Sequence, residues 1–403
     1  MGPCYTVPMR ETSKSTTSFL ALLGLLSLAA PASADFKSCM ASVRGEALSA
    51  GVSAATFDSA TRGLTPNDAA SFLDNQPEFT TPIWDYMAGL VDEDRIRDGR
   101  ARLRDYAAPL ASAEKLYGVD RATIVAVWGV ESDFGRGIGK RPLVQSLATL
   151  SCEGRRQSFF RGEFFATLKI IQNGDVPASA LVGSWAGAFG HTQFMPSTFL
   201  RFAVDHDGDG RRDVGGSVPD ALGSTANYRR RSGGDPEQTW GFEVTVPKDY
   251  SGPTGRKAKQ SMTYWAGRGF KRVDGKPLGS GTAGLIQPAE GGGPAFLVTG
   301  NFDALFAYNA SISYGLAIAH LSDRLRGGGP FVTPWPTDDP GLTRAERREL
   351  QTLLTRRGYD IGPADGAIGE KTRQAIADLQ TKAGMTRDGR PGTKLLNLLR
   401  SGQ

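Results

Sequence analysis

Histidine and cysteine are scarce in this chain of 403 residues, which holds three of each. The histidines lie far apart, with no spacing that would bind zinc, which argues against zinc-dependent hydrolysis. No segment around a serine matches the G-x-S-x-G pattern of a nucleophile. The glycine string at 135–139 follows a helical pattern rather than a strand, so it predicts a turn and not a nucleotide-binding loop.

The apolar run Phe19–Ala30 is too short to span a membrane. Arg10 and Lys14 precede it and Ala32-Ser33-Ala34 follows it, which is typical of a cleavable signal peptide over residues 1–34. No cysteine follows the run in a lipoprotein-like setting. We therefore expect an exported, soluble protein without a membrane anchor.

Cysteine number also limits the redox chemistry of the exported protein. Cys4 would leave with the signal peptide, and Cys39 and Cys152 would remain. Two cysteines in an oxidising compartment predict a single disulfide, and the alternative is a pair of buried thiols.

An excess of acidic residues is absent as well, because the net charge is +5. The signal peptide contributes one net positive charge, which leaves +4 on the remainder. A basic protein suits an anionic partner such as a cell-wall polymer, and export argues against nucleic acid. The alternative is that the charge only keeps the protein soluble.

An apolar stretch from Ile124 to Val130 predicts a helix that is buried on all sides. Asp120 is the expected N-cap, and Glu131 stands at the far end of the stretch. Burial disfavours a charged carboxylate and raises its pKa, so a glutamate there can act as a general acid near neutral pH. The alternative is a structural glutamate that caps or bridges the core.

A second segment, Gly183–Ser197, is rich in glycine and carries the polar side chains of Ser184, His191 and Gln193. Glycine lets a backbone come close to a ligand, and hydroxyl and amide groups suit a sugar. The alternative is a glycine-rich packing turn.

Asp205-His-Asp207-Gly-Asp209-Gly210 begins like an EF-hand loop, with oxygen ligands at the first, third and fifth positions. The carbonyl of Arg211 would be the next ligand, and either Asp213 or Asp220 would close the shell in place of the missing glutamate. The sequence predicts a structural calcium site, with a polar turn as the alternative.

Helical periodicity dominates the chain, and Arg95–Tyr117 and Phe302–Arg326 each predict one long helix. Short β-rich pieces between Trp240 and Asn301, with Met262–Trp265 among them, predict a small β subdomain inserted in an α-rich body. A Gly/Pro segment at 327–341 predicts a linker.

The last residues predict a separate module in which one pattern occurs twice. Asp365-Gly366 and Asp388-Gly389 each precede an apolar helical pattern, which indicates a duplicated turn–helix unit. These patterns divide the chain into a signal peptide (1–34), a body (35–326) with a β insertion (240–301), a linker (327–341) and a C-terminal module (342–401).

Four segments resemble, in this order, the lytic murein transglycosylase B family: Val127–Gly135, Gly183–Ser197, Ser224–Tyr228 and Tyr308-Asn309. The resemblance covers residues 36–326. The C-terminal module, through Leu350–Leu354, Gly358–Asp360 and Asp365–Gly369, resembles a three-helix peptidoglycan-binding domain.

The resemblance implies a lysozyme-like helical fold with a small β subdomain, in a periplasmic enzyme that cleaves glycan strands of peptidoglycan. It implies cleavage between N-acetylmuramic acid and N-acetylglucosamine without water, which leaves a 1,6-anhydromuramic acid end. We expect a monomer that requires no cofactor. The catalytic glutamate falls on Glu131, and the substrate-binding residues fall on Ser184, Gln193, Tyr228, Tyr308, Asn309 and, in a more divergent segment, Tyr86.

A single acid suits this reaction. Asp133 lies two residues from Glu131, and residues two apart on a helix do not face each other. We therefore expect Asp133 to be a helix-end residue rather than a second catalytic group. The alternatives are a muramidase that uses water and a non-catalytic wall-binding protein. The buried setting predicted for Glu131 argues against the latter.

Overall fold

A computed structural model describes residues 32–73 and 81–402. Within them the protein is mainly helical, with a five-stranded antiparallel sheet between helices and further helices at the C-terminal end. This confirms the predicted fold class of an α-rich body, a small β subdomain and a three-helix C-terminal module. The predicted signal peptide, as far as residue 31, lies outside the described residues.

The helices that precede the sheet form most of the body. In order they are α1 (Ala32–Ser49), α2 (Ala54–Ala60), α3 (Ile83–Leu90), α4 (Glu93–Asp105), α5 (Ala107–Tyr117), α6 (Arg121–Ser132), α7 (Leu143–Cys152), α8 (Gln157–Asn173), α9 (Pro196–Phe202) and α10 (Val218–Arg231). A 3-10 turn covers Asp68–Phe72, and two short strands, β1 (Arg141–Pro142) and β2 (Val182–Gly183), pair antiparallel. None of the helices in the described part of the chain has both the length and the apolar character to cross a bilayer.

Helix α6 is the central helix of the body, as its apolar sequence predicts. Every residue from Ile124 to Gly129 is buried. The carboxylate of Asp120 accepts the N–H of Thr123 and caps the helix. Asp133 ends it in the left-handed conformation, with φ of 50°. The helix is apolar on every face because other helices cover it all round.

The single helix predicted over 95–117 is wrong, because α4 and α5 are separated at Tyr106. Pro109 is the physical reason. Proline has no N–H, and in a continuous helix its ring would collide with the carbonyl of Asp105, four residues earlier. The break places Pro109 in the first turn of α5, where backbone N–H groups have no partner within the helix.

Two helices, α12 (Gly300–Asn309) and α13 (Ile312–Leu325), likewise replace the single helix predicted after the sheet. Ala310 takes up the left-handed conformation, with φ of 49°, and the hydroxyl of Ser311 caps α13. The break leaves Asn309 at the end of one helix and Tyr314 in the first turn of the next.

The sheet forms the predicted β subdomain. Its strands are β3 (Gly241–Thr245), β4 (Gln260–Ser261), β5 (Lys271–Arg272), β6 (Thr282–Ile286) and β7 (Ala295–Val298). They lie in the order β4-β6-β7-β3-β5, and all neighbours are antiparallel.

The strand predicted at Met262–Trp265 is wrong, because these residues begin helix α11 (Met262–Gly267). Ser261 caps this helix by accepting the N–H of Tyr264 at 3.1 Å. The indole of Trp265 is fully buried and donates to the carbonyl of Ala283 at 2.9 Å. Aromatic residues favour strands only weakly, so the cap and the burial decide the conformation.

The Gly/Pro segment 327–341 lies against the body. Glu243 on β3 accepts the N–H groups of Val332 and Thr333 at 2.8 and 2.7 Å. Phe331 stacks on His320 of α13, with ring centroids 3.8 Å apart. The segment predicted as a linker therefore contacts the body at Phe331–Thr333.

The C-terminal module consists of α14 (Arg344–Arg356), α15 (Glu370–Lys382) and α16 (Thr393–Arg400). Gln351 on α14 hydrogen-bonds the Asp365-Gly366 turn, and Gln380 on α15 makes the same contacts with the Asp388-Gly389 turn. Each glutamine accepts the glycine N–H and donates to the aspartate. The repeated contacts support the duplication that the sequence indicates.

A disulfide joins Cys39 to Cys152, the pair predicted from the sequence, and links α1 to α7. It closes a loop with a sequence separation of 113 residues. A crosslink over a long loop typically adds about 2–4 kcal/mol to stability.

Stability should fall in mild acid because of His320, which is 6% exposed. Burial, with the neighbouring Arg324 as a lesser cause, lowers the pKa of His320 to about 3. Between pH 6.5 and that value the unfolded chain binds a proton that the folded chain does not, which costs at most about 1.4 kcal/mol per pH unit. A His320→Phe variant, which keeps an aromatic ring against Phe331, should lose less stability between pH 7 and pH 5 in urea titrations.

Burial also lowers the pKa of His191, so the variant keeps part of the pH dependence. The same loss of unfolding free energy in both proteins would contradict the role of His320.

Candidate active site

Glu131 occupies the last turn of α6 and is half-buried. It lines two adjoining cavities, and Asn309 at the end of α12 also lines both. The expectation of a fully buried acid is therefore too strong. The body covers one side of the side chain, and the other side faces the space where a ligand can enter.

The first cavity has a volume of about 350 Å³. It brings Glu131 together with four predicted substrate-binding residues: Ser184, Gln193, Tyr308 and Asn309. The lining also contains three aromatic and two basic side chains: Phe159, Phe160, Trp185, Arg155 and Arg156. A cavity with hydroxyls, amides, aromatic rings and one acid matches what a sugar ligand requires.

The second cavity, of about 680 Å³, lies between the body and the C-terminal module. The body contributes Tyr86, Glu131, Asn309 and Tyr314, among others. The module contributes Ile368, Arg373, Asp388, Gly389, Arg390 and Pro391. The candidate site is thus built from both parts of the chain.

A phenol holds the carboxylate of Glu131. The hydroxyl of Tyr314 donates to Oε1 of Glu131. Burial, followed by the negative charge of Glu131, raises the pKa of Tyr314 well above its usual value, and the pKa of Tyr308 for the same reasons. Both phenols therefore keep their protons at neutral pH, and Tyr314 acts as a donor to the carboxylate.

The glycine-rich segment shapes the wall opposite Glu131. The backbone N–H of Ser184 donates to the carbonyl of Ala188 at 2.8 Å, and its hydroxyl accepts the N–H of Ala188 at 3.0 Å. A Cβ on Gly139 would lie 2.2 Å from the carbonyl of Gly183, so this close approach requires glycine.

Gln193 and Tyr308 are fixed by the backbone near them. Gln193 has a φ of 51°, and its amide donates to the carbonyls of Gly190 and Ile138 at 2.8 and 3.2 Å. The hydroxyl of Tyr308 donates to the carbonyl of Thr192 at 2.6 Å.

The two remaining predicted substrate-binding residues differ in position. Tyr86 lines the second cavity. Tyr228 lines neither cavity; its ring lies edge-on to Tyr308 at 4.9 Å, and its hydroxyl donates to the carbonyl of Ala307 at 3.1 Å. Tyr228 thus supports Tyr308 from behind.

Asp133 lines neither cavity and pairs with Arg95, Arg136 and Arg344. Burial alone would raise the pKa of Asp133, but the three arginines lower it. Asp133 therefore caps α6 as a charged, paired carboxylate, as the spacing predicts.

In the described residues, Glu131 is the one acid that lines the first cavity. The second cavity also has Asp85 and Asp388. Asp85 forms two bonds with Arg390, at 2.5 and 2.7 Å, and Asp388 accepts from Gln380 at 2.7 Å. Asp85 thus binds the module to the body, and Asp388 is engaged within the module.

Three exposed carboxylates gather in one loop, with oxygens within 4.8 Å of one another: Asp205, Asp207 and Asp209. Asp220 is buried and is not part of this exposed group. Its oxygens accept the backbone N–H groups of His206 at 2.7 Å and Asp213 at 2.8 Å, which ties its carboxylate to the same loop. Its role as a further metal ligand stays a prediction.

Sequence reasoning missed Tyr314, Arg155, Arg156 and the residues of the module. Tyr314 lies in an ordinary helical pattern, and the module is far away in sequence, so neither carries a local signal. The dipeptide Arg155-Arg156 was a visible basic pair, but only the fold brings it to the cavity.

Comparisons with known proteins agree with this geometry. Residues 35–323 match the Transglycosylase SLT domain family, and residues 343–399 match a peptidoglycan binding domain. Membrane-bound lytic murein transglycosylase B of Escherichia coli strain K12 is 33% identical over 267 residues, which cover 64% of this chain and 72% of that protein.

Solved structures show the same similarity. SltB3 from Pseudomonas aeruginosa, in complex with NAG-anhNAM-pentapeptide, has a TM-score of 0.72 and 45% identity over 91% of this chain and 99% of that chain. The Escherichia coli transglycosylase Slt35 in complex with calcium has a TM-score of 0.62 and 28% identity, and covers 72% of this chain and 92% of that chain.

A Tyr314→Phe variant tests the anchoring of Glu131. It removes a hydrogen bond to a charged group and keeps the buried ring, so we expect kcat to fall on the order of tenfold to a hundredfold with little change in KM. Tyr250→Phe is the control, because Tyr250 donates to the carbonyl of Pro253 on the β subdomain. An unchanged kcat for Tyr314→Phe would show that the phenol is not needed.

Proposed function

Since the chain belongs to the Transglycosylase SLT domain family and is a lytic transglycosylase that acts on peptidoglycan, we propose that Glu131 is its general acid and then its general base. A half-buried carboxylate at the junction of two cavities supports this role. General acid–base catalysis by one positioned side chain contributes about 10²–10⁴-fold to a rate.

The proposed reaction needs one acid and no water. Protonated Glu131 gives its proton to the oxygen of the β-1,4 bond between N-acetylmuramic acid and N-acetylglucosamine, and the bond between this oxygen and C1 of N-acetylmuramic acid breaks. The N-acetyl group of N-acetylmuramic acid stabilises the cation at C1. The carboxylate of Glu131 then takes the proton from the 6-hydroxyl of this sugar, and the hydroxyl oxygen forms a bond to C1. A 1,6-anhydromuramic acid end forms, and Glu131 is protonated again.

The observation that carries this proposal is that, among the described residues, Glu131 is the single carboxylate of the first cavity. Hydrolytic glycosidases place a second carboxylate about 5–5.5 Å or about 6.5–9.5 Å from the first. Asp133 is paired with three arginines and lines neither cavity. The 6-hydroxyl of the sugar would take the place of the second group.

The glycan strand of peptidoglycan is the proposed ligand of both cavities. Ser184, Gln193, Tyr308 and Asn309 are proposed to contact it in the first cavity, and Tyr86 in the second; their positions beside Glu131 support this. Tyr228 contributes through Tyr308. We place the enzyme in the periplasm on the basis of the signal-like segment at 1–34 and the match of its module to a peptidoglycan binding domain.

Calcium is the proposed ligand of the loop around Asp205, Asp207 and Asp209, with the carbonyl of Arg211 and the carboxylate of Asp220 as further oxygens. Grouped, exposed carboxylate oxygens suit this ion. Its role would be structural, since the ion would screen the repulsion between the three carboxylates.

A Glu131→Gln variant tests the catalytic proposal. We expect the release of soluble muropeptides from purified sacculi to fall roughly a hundredfold to ten-thousandfold, because glutamine cannot give or take the proton. Glu114→Gln is the matched control, as Glu114 pairs with Arg121 on the surface of α5. Normal turnover by Glu131→Gln would refute the proposal.

If the loop binds calcium, calcium should raise the free energy of unfolding of the protein and magnesium should not. Calcium at about a hundred times its dissociation constant would add about 2.7 kcal/mol and raise the Tm by a few degrees. An Asp207→Asn/Asp209→Asn double variant should lose the shift. No change in Tm between chelator and millimolar calcium would count against the site.

A further inference from the structure

The C-terminal module forms a fixed wall of the second cavity. Arg390 of the module binds Asp85, which is 4% exposed, and also pairs with Asp339 at 2.6 Å. Arg344 at the start of α14 pairs with Asp133, two residues from Glu131. Pairs this well covered by protein are costly to break, because one partner would remain buried and uncompensated.

The basic residues between module and body are nearly all engaged. Arg344 and Arg390 bind carboxylates, Arg348 pairs with Asp94 at 2.8 Å, and Arg347 donates to the carbonyl of Asp85 at 3.0 Å. These four side chains hold the module in place.

Arg373 is different. It lies on α15, is partly exposed, and lines the second cavity together with Glu131. Its guanidinium makes no hydrogen bond or ion pair with any of the described residues. Asp388 lines the same cavity, but it is bound by Gln380 and by the backbone N–H of Arg390. A cation that has no side-chain partner within residues 32–73 and 81–402 therefore faces the proposed substrate path.

The chemistry of peptidoglycan suggests what this cation binds. The sugar hydroxyls and N-acetyl groups are uncharged, whereas the peptide stem on N-acetylmuramic acid ends in a carboxylate. SltB3, similar to this chain over both body and module, was crystallised with glycans that carry a pentapeptide. A guanidinium binds a carboxylate through paired N–H donors.

We propose that Arg373 is a specificity-determining residue, which binds a carboxylate of the stem peptide while the glycan lies at Glu131. The inference rests on the proposed function, because it assumes that the glycan enters the second cavity. The module then selects strands that carry peptides in addition to holding the enzyme to the wall.

The experiment compares two substrates: uncrosslinked glycan strands with their pentapeptide stems, and the same strands after an amidase has removed the stems. Arg373→Gln should raise the KM for peptide-bearing strands about fivefold, the usual scale of a partly exposed ion pair, and leave kcat unchanged. The KM for bare strands should not change. Lys371→Gln is the control, since Lys371 lies two residues away, has a side chain that is 66% exposed and pairs with Asp360.

The outcomes separate the inference from the proposed function. Equal KM changes on both substrates, or no change on either, would overturn the role of Arg373, and an unchanged melting curve would show that the variant is folded. Arg373→Lys should restore part of the preference if charge is what matters. Failure of the wild-type enzyme to form anhydro ends on either substrate would instead refute the proposed function.

Discussion

The hydrogen bond from Tyr314 to Glu131 is the contact on which the site depends. A catalytic acid must be shielded enough to hold a proton near neutral pH and open enough to reach a sugar. The end of a buried helix meets both conditions, since α6 is covered along its length and only its last turn reaches the cavities. The break between α12 and α13 brings the phenol to that place.

The ion pairs of Asp133 connect the end of α6, which carries Glu131, to both the body and the module. Asp133 ends α6 in a left-handed conformation and joins Arg95 of the body to Arg344 of the module. The charged group nearest in sequence to Glu131, the proposed catalytic acid, therefore connects the body to the module. The C-terminal end of α6 positions Glu131 and also binds the module through Asp133 and Arg344. The module therefore forms part of the candidate active site.

Local sequence patterns predicted the parts of the fold that depend on local physics. The apolar run of α6 required burial, two exported cysteines required a bridge, and the paired Asp-Gly turns indicated a repeat. Long-range contacts decided the rest. Pro109 divides a predicted helix into two, and the burial of Trp265 with the cap from Ser261 makes a predicted strand a helix. Tyr314 and Arg373 reach the site through tertiary packing alone, which no local pattern records.

If Glu131 is the one acid and the 6-hydroxyl of the sugar is the nucleophile, no water enters the cleaved bond. Digestion of purified sacculi in water enriched in oxygen-18, followed by mass spectrometry of the released muropeptides, distinguishes the two nucleophiles. We expect anhydro ends that are lighter by one water and carry no oxygen-18 from the cleavage. Reducing ends that have gained oxygen-18 would contradict this expectation and would identify a hydrolytic muramidase.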